Sequence, residues 1–265
     1  MKACDDSLRR LGTDWIDVYQ LHRPDPNVPL EETLSALTDL VHQGKIRAFG
    51  TSTFPPHMMM EAHWLAERNG LIPFSTEQPP YSIFVRYIER ELLPVCLQLN
   101  VGTLVWSPMN GGWLSGRYRK DAVDLSYGRP RRMKDRFDPE LPDNARKLAL
   151  VEELVPMAAS LGTTLARLAN AWVLRHPGVT SAIIGPRTME QLDGVLGCED
   201  VVIPIEMLDR IDELVAPGTN VQEDESRWVG PGVTSSALRR RPWPSLPVDR
   251  QRAVPLRGGA LAVYW

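Results

Sequence analysis

Apolar residues along this chain alternate between short continuous runs and longer stretches with a helical period. The first run, WIDVYQL at 15–21, is rich in β-branched and aromatic residues and is apolar on both faces, which is typical of a buried strand in a covered parallel sheet. Apolar residues then recur at helical spacing from Leu34 to Val41, and another apolar run begins at Ile46. The pattern predicts a strand, a helix and a second strand, with the first strand in the interior.

The same unit recurs along most of the chain. Helical patterns in PHMMMEAHWLAERNG, VRYIERELLPVCLQLN and TTLARLANAWVLRHPG each precede a short apolar run, and a last helix in IPIEMLDRIDELVAPGTN closes near Pro217. Alternating helices and strands favour parallel strands joined by right-handed helical crossovers. The predicted fold class is α/β, with strands at 15–21, 46–52, 74–78, 102–107 and 181–184.

Composition and charge exclude several classes of function. A chain of 265 residues with 43% hydrophobic and 24% charged residues matches one domain of α/β-barrel size, or two small ones. The net charge is −3 and no long basic stripe interrupts residues 1–238, so we expect small-molecule partners and no nucleic acid or membrane. Three distant cysteines without a CxxC spacing argue against disulfides and a zinc site, and no export signal is visible. A cytoplasmic location fits best.

Two segments depart from the alternating pattern. Residues 117–143 are rich in Arg, Asp and Pro and predict a long excursion after the fourth strand. Residues 239–265 carry six arginines against one acidic residue and show no helical or strand period. We expect disorder from residue 239, although a basic peptide that contacts an acidic partner is an alternative.

Polar or aromatic residues follow each predicted strand. In a parallel α/β barrel, ligands bind at the carboxyl ends of the strands. Each residue alone has a structural explanation, such as a rim histidine or a core tryptophan. Together, an amide, hydroxyls, a flat aromatic ring and an arginine are what a nicotinamide dinucleotide needs. These ends are His22-Arg23-Pro24-Asp25, Ser52-Thr53, Gln78, Trp106-Ser107-Pro108 and Gly185-Pro186-Arg187-Thr188.

The segments that carry these ends resemble a known family. SLRRLGTDWIDVYQLHRPDP, EETLSALTDLVHQGKIRAFGTST, EQPPYSIFVR, WSPMNGGWLSGRY and IIGPRTMEQL are similar to the aldo-keto reductases, in particular to the branch that includes potassium-channel β-subunits. The resemblance runs from about residue 7 to 220. It implies a (β/α)8 TIM barrel that binds NADPH across its mouth without a GxGxxG loop, and no such loop is present in this sequence.

The resemblance implies a role for each strand end. His22 matches the catalytic histidine that polarises the substrate carbonyl. Ser52 and Gln78 match residues that hydrogen-bond the nicotinamide carboxamide. Thr53 stands where many members have Asn or Arg. Trp106 matches the aromatic residue that stacks on the nicotinamide ring.

Further cofactor contacts follow from the same resemblance. One loop matches the segment that straddles the pyrophosphate, where backbone N–H groups can face phosphate oxygens. Arg117 matches a basic residue that reaches over the cofactor. GPRTMEQL matches the segment at the adenosine 2′-phosphate, where Arg187 supplies a planar cation. The loop comprises Ser107, Pro108, Met109, Asn110 and Gly111, and the 2′-phosphate segment comprises Gly185, Arg187, Thr188 and Gln191.

The family's catalytic Asp, Tyr and Lys precede the segment that matches Ser7, and none can be located in this sequence. At about 30 residues per βα unit in a barrel of about 250, roughly 80 to 90 residues are missing. We therefore expect an N-terminally truncated member, with about five of eight βα units in residues 1–220 and a C-terminal extension at 221–265.

Two interpretations of function remain open. The first is an NADPH-dependent reductase of aldehydes and ketones, inactive as this fragment. The second is a catalytically silent dinucleotide-binding module like the channel β-subunits. His22 favours the first, because those subunits carry Asn there, and the missing acid favours the second. A third possibility, an unrelated phosphate-binding barrel, does not explain Trp106 and Gln78 together.

Overall fold

A computed structural model of the chain describes residues 1–120, 131, 133–226, 229 and 233. The chain divides into two compact units, Met1–Arg227 and Trp228–Trp265, and only two residues of the second unit are described. The predicted disorder from residue 239 lies outside the described residues. Much of the predicted excursion after the fourth strand, 121–130 and 132, also lies outside them.

The first unit is built on a parallel sheet in which the strands are hydrogen-bonded in chain order. Each predicted strand is confirmed to within one residue at each end, except the third, which is shorter than predicted. The register places Tyr19 beside Phe49 and Thr76 between Gly50 and Gly102. The strands are β1 (Ile16–Leu21), β2 (Ile46–Thr51), β3 (Thr76–Glu77), β4 (Gly102–Trp106) and β5 (Ser181–Ile183).

Helices connect these strands in alternation, as the sequence predicts. Among the described residues, no single helix is long and apolar enough to cross a membrane, although Pro142–Ser160 and Leu165–Leu174 together, bent by 87°, meet that requirement of length and composition. The α-helices are α1 (Lys2–Leu11), α2 (Leu30–His42), α3 (Pro56–Asn69), α4 (Leu92–Gln98), α5 (Pro142–Ser160), α6 (Leu165–Leu174), α7 (Met189–Asp193) and α8 (Ile205–Leu214).

The helix predicted over residues 85–100 is wrong in its first half. That segment forms a short 3₁₀ turn, Tyr87–Glu89, before α4. Pro94 explains the break, because proline has no N–H for the carbonyl of residue 90 and its ring clashes with that carbonyl in a continuous helix. The sequence pattern also did not indicate α5, whose Pro156 and start within the Pro-rich excursion obscured it.

The third strand is short because prolines flank it. Pro79 and Pro80 cannot donate to a neighbouring strand, so regular pairing ends at Glu77. Single hydrogen bonds extend the pairing on each side, from Ser75 N to Phe49 O and from Gln78 N to Thr51 O. Gln78 is therefore anchored to the end of β2.

The core lies between the sheet and the helices and includes Leu34, Phe49, Phe74 and Leu168, all at most 1% exposed. The predicted burial of β1 is wrong for part of the strand, because Val18 is 40% exposed. Within the described residues, β1 pairs with β2 alone, so only one of its edges is covered.

Candidate active site

The carboxyl ends of β2 and β3 hold the two residues predicted to bind a carboxamide. Ser52 is buried, its amide donates to Leu21 O at 2.8 Å, and its hydroxyl donates to Gln78 O at 2.9 Å. The Gln78 side-chain Nε2 donates to Gln20 Oε1 at 2.7 Å. Ser52 and Gln78 therefore meet at neighbouring strand ends, through the Ser52 hydroxyl and the Gln78 backbone carbonyl.

His22 lies directly after β1, where its side chain is exposed. The neighbouring Arg23 joins it to the next strand end. Arg23 Nη1 donates to His22 O and lies 3.4 Å from Ser52 Oγ. The sequence analysis named Arg23 in the strand end that begins with His22, but assigned it no role in the site.

Glu77 is a further residue of this region that the sequence analysis missed. Its side chain is 0% exposed and precedes Gln78 at the end of β3. Thr51 Oγ1 donates to Glu77 Oε2, and Phe54 N donates to Oε1 at 3.2 Å. Burial raises the pKa of the Glu77 carboxyl to about 7, because the cost of desolvating the charge exceeds the gain from these hydrogen bonds. The sequence signal that could have identified Glu77 is an acidic residue at the end of a short strand that is followed by prolines.

Thr53 completes the turn that follows β2. Its φ is +59°, a left-handed conformation that is unusual for a β-branched residue. Its Oγ1 is buried and has no hydrogen-bond partner among the described residues.

Trp106, the last residue of β4, borders a small cavity that opens to solvent. Two predicted residues of the following loop, Ser107 and Asn110, also line it. The complete lining is Pro80, Tyr81, Val85, Trp106, Ser107, Asn110, Arg136 and Glu225.

The loop from Ser107 to Gly111 is tightly turned. Ser107 has φ of +61° and Asn110 of +47°, both left-handed. Asn110 N donates to Ser107 O at 2.8 Å, and Gly111 N donates to Ser107 Oγ at 2.9 Å. The two amides that the resemblance would turn towards phosphate oxygens thus donate within the loop. Pro108 is buried and Met109 packs against the core.

Glu225 anchors this loop from the far end of the unit. Asn110 Nδ2 donates to Glu225 Oε2 at 2.9 Å, while Lys147 Nζ lies 2.9 Å and Arg136 Nη2 lies 3.2 Å from Oε1. Asn110 Oδ1 is buried without a hydrogen-bond partner among the described residues. Burial lowers the pKa of Lys147 and the charge of Glu225 opposes that shift. The sequence analysis predicted neither Glu225 nor Lys147, because they lie 115 and 37 positions from Asn110 in the sequence.

The predicted 2′-phosphate segment also comes together locally. Thr188 caps α7 by accepting from Gln191 N at 3.2 Å, and Gln191 Oε1 accepts from Arg187 N at 2.9 Å. Gly185 and Arg187 are exposed after β5. Arg117 is exposed in the loop after β4, and its amide lies 3.3 Å from Ser115 Oγ.

Comparison with known proteins explains this arrangement of strand ends. The family model described as "Aldo/keto reductase family" matches residues 1–216. The chain belongs to the aldo/keto reductase family. Membership implies a (β/α)8 barrel and an oxidoreductase lineage, and the parallel β1–β5 sheet with its helical crossovers agrees with that fold.

Three curated members of the family show the branch to which the chain is similar. A probable voltage-gated potassium channel subunit beta of Arabidopsis thaliana is 34% identical over 79% of this chain and 64% of its own length. A putative subunit of the same kind from Schizosaccharomyces pombe is 34% identical over 81% and 63%, and a probable one from Oryza sativa is 33% identical over 79% and 64%. The chain thus spans less than two thirds of the length of these relatives.

Proposed function

We propose that this chain binds NADPH at the carboxyl ends of its strands and serves the reduction of small aldehydes and ketones to alcohols. The observation that carries the proposal is the contact between Ser52 and Gln78, whose side chains share one end of the sheet with His22 on one side and Trp106 on the other. Membership in a family of oxidoreductases supports the same chemistry.

The carboxamide of the nicotinamide would be held by Ser52 and Gln78. Gln78 Nε2 donates one of its two hydrogens to Gln20, and its side-chain oxygen is the acceptor for a carboxamide N–H. The Ser52 hydroxyl donates its one proton to Gln78 O, so its oxygen can accept from the carboxamide N–H. Trp106 supplies a flat surface beside this pair. The bound cofactor supplies the hydride.

His22 would polarise the substrate carbonyl. Its exposed side chain stands at the end of β1, next to the strand end that carries Ser52. An imidazole N–H that donates to the carbonyl oxygen stabilises the negative charge that develops there. Water can reach this position, so His22 is accessible to a small substrate.

The rest of the dinucleotide would extend along the other strand ends. Asn110 offers an amide oxygen without a partner among the described residues, at a cavity beside Trp106, and this oxygen can accept from a ribose hydroxyl. Arg187 is exposed and its charge suits a 2′-phosphate, with the Thr188 hydroxyl next to it. Arg187 would favour NADPH over NADH, because only NADPH carries the 2′-phosphate.

A dinucleotide-binding subunit without turnover is the second candidate. The relatives named as potassium-channel β-subunits favour it. The buried Tyr81 and the partly buried Tyr87 also favour it, because a general acid needs a lowered pKa. Burial instead raises the pKa of Tyr81 and Tyr87, and the Tyr81 hydroxyl donates to Glu89 at 2.7 Å.

Fluorescence titration with NADPH tests the binding proposal. We expect saturable quenching of tryptophan emission by the chain, and weaker binding in Ser52→Ala and Gln78→Ala. Ser160→Ala, at an exposed position on α5, is the matched control and should bind as the parent does. Equal affinity in all four proteins, or no saturable binding, would refute the proposal.

A further inference from the structure

We propose that Glu77 is the positioning residue of the carboxamide pocket, and that its side chain holds the turn from Ser52 to Phe54 so that Ser52 faces Gln78. This inference rests on the proposed function, because it assigns the carboxamide to Ser52 and Gln78. Glu77 itself touches neither a substrate nor a cofactor in this assignment. It acts through the residues that do.

The contacts of Glu77 bracket the turn. One carboxylate oxygen accepts from the Thr51 hydroxyl, just before Ser52, and the other accepts from Phe54 N at 3.2 Å, just after Thr53. One buried side chain on β3 therefore fixes both ends of a short segment that follows β2. Ser52, inside that segment, can then direct its hydroxyl to Gln78 O at 2.9 Å.

The turn needs such an anchor. Thr53 has φ of +59°, a conformation that costs free energy in a β-branched residue and persists where the surroundings hold it. The Thr53 hydroxyl has no hydrogen-bond partner among the described residues, so it does not provide that hold. The hydrogen bond from Phe54 N to Glu77 does.

The charges around Glu77 connect it to the same pocket. Arg23, whose Nη1 lies 3.4 Å from Ser52 Oγ, stabilises the charged form of Glu77. The other titratable groups that face it are Tyr87 and Cys96, and the charge of Glu77 raises the pKa of both. Burying a carboxyl group costs free energy, so a side chain that only filled this space would more favourably be apolar.

The binding of two ligands distinguishes a positioning role of Glu77 from a general effect on stability. NADPH carries the nicotinamide, whereas 2′-phospho-ADP-ribose lacks it and keeps the rest of the dinucleotide. In the full chain we expect Glu77→Ala to weaken NADPH binding about tenfold, the equivalent of one lost hydrogen bond, and to leave 2′-phospho-ADP-ribose binding within about twofold. Glu77→Gln keeps an oxygen that can accept from Phe54 N and should restore most of the NADPH affinity.

Two further variants keep the test decisive if Glu77→Ala fails to fold. Thr51→Val removes the other partner of Glu77 with little change in volume and should show the same selective loss. Glu89→Ala removes a largely buried carboxylate that binds Tyr81 and Arg86 instead, and should leave the ratio of the two affinities unchanged.

The outcomes distinguish the two proposals. If Glu77→Ala and Thr51→Val lose affinity for both ligands equally, or lose affinity for neither, the positioning role of Glu77 is overturned. If the parent chain binds 2′-phospho-ADP-ribose and NADPH equally well, the nicotinamide makes no contribution, and both the carboxamide pocket and the role of Glu77 are refuted. Both proposals stand if the parent chain binds NADPH more tightly than 2′-phospho-ADP-ribose, and Glu77→Ala and Thr51→Val bind the two ligands with similar affinity.

Discussion

Lys147 and Glu225 form a buried ion pair, with Nζ 2.9 Å from Oε1 and side chains that are 1% and 6% exposed. The pair joins α5 to a segment beyond α8. Because Glu225 also accepts from Asn110 Nδ2, the pair holds the loop after β4 in place. This part of the candidate site therefore depends on residues far away in the sequence.

Removing the carboxylate should destabilise the fold strongly. In Glu225→Ala, Lys147 keeps Gln222 Oε1 at 2.9 Å but loses its buried counter-charge, and an uncompensated buried charge costs about 3 to 5 kcal/mol. Urea denaturation measures the loss. Glu213→Ala breaks the exposed pair with Arg210 and should change the free energy of unfolding by less than about 1 kcal/mol. Similar effects in the two variants would contradict the buried role of Glu225.

A single methyl group at Gly50 should disturb the centre of the sheet. An alanine Cβ there would lie 2.0 Å from Thr76 Oγ1 and 2.3 Å from Thr76 O, too close for either atom. Overpacking of this kind costs about 1 to 3 kcal/mol. Gly102 flanks Thr76 on its other side, and its Cβ would make an ordinary contact of 3.5 Å with Thr180 Oγ1. Gly102→Ala should therefore unfold at a higher urea concentration than Gly50→Ala.

The strands could be predicted from the sequence because apolar runs between helical patterns specify a parallel α/β sheet. The errors have local causes. Pro94 interrupts a helical pattern that the apolar spacing alone would continue, and β1 is partly exposed although its composition is that of a covered strand. Periodicity records which faces are apolar, but it does not record which neighbouring strands cover them.

The site was predictable where its residues follow a strand directly. His22, Ser52, Gln78 and Trp106 occupy four successive strand ends, as expected. Glu225 could not be found in this way, because its partner Asn110 lies 115 positions earlier and no periodicity links them. Contacts of that kind appear only once the chain has folded.

The ionisation of Glu77 should make stability depend on pH. The pKa of its carboxyl is about 7 in the folded chain against 4.5 for the ordinary group, so between these values the folded state holds a proton that the unfolded state has released. Stability contributed by this group is therefore lost as the pH rises from 4.5 to about 7, by about 3 kcal/mol in all.

Glu77→Gln isolates this effect, because the amide does not titrate. The difference in the free energy of unfolding between parent and Glu77→Gln should change across pH 4.5 to 7 in favour of the variant, and remain constant above about pH 8. Urea denaturation at a series of pH values measures it. Parallel curves for the two proteins over the whole range would show that Glu77 titrates normally.

Arg187 should determine the preference between the two nicotinamide cofactors. Its exposed guanidinium can pair with the 2′-phosphate that NADPH carries and NADH lacks. Charged hydrogen bonds of this kind contribute about 1.5 to 3 kcal/mol, so Arg187→Ala should weaken NADPH binding about 10- to 150-fold. NADH binding should change little, and Arg175→Ala, at another exposed arginine, should alter neither. Equal losses for both cofactors would place Arg187 away from the phosphate.

The tyrosines that the structure describes do not offer a replacement for the catalytic tyrosine of the family. Tyr81 donates to Glu89, burial raises the pKa of both Tyr81 and Tyr87, and Tyr118 is 7% exposed against Trp113. Tyr19 lies on β1 and packs against the core. Tyr127 and Tyr264 lie outside the described residues.

Residues 1–265 alone should therefore show no measurable NADPH-dependent reduction of aldehydes or ketones, even where they bind the cofactor. Hydride addition leaves an alkoxide that must be protonated, and a positioned general acid accelerates such a step about 10²- to 10⁴-fold. The exposed imidazole of His22 can polarise a carbonyl, but Tyr81 and Tyr87, within the residues that the structure describes, have raised pKa values and are poor proton donors to an alkoxide beside it. Cofactor oxidation followed at 340 nm with a panel of small carbonyl compounds, beside an intact reductase of the family, measures the rate. Turnover at the rate of that reductase, lost in His22→Ala but kept in His57→Ala on α3, would contradict this prediction and identify His22 as sufficient.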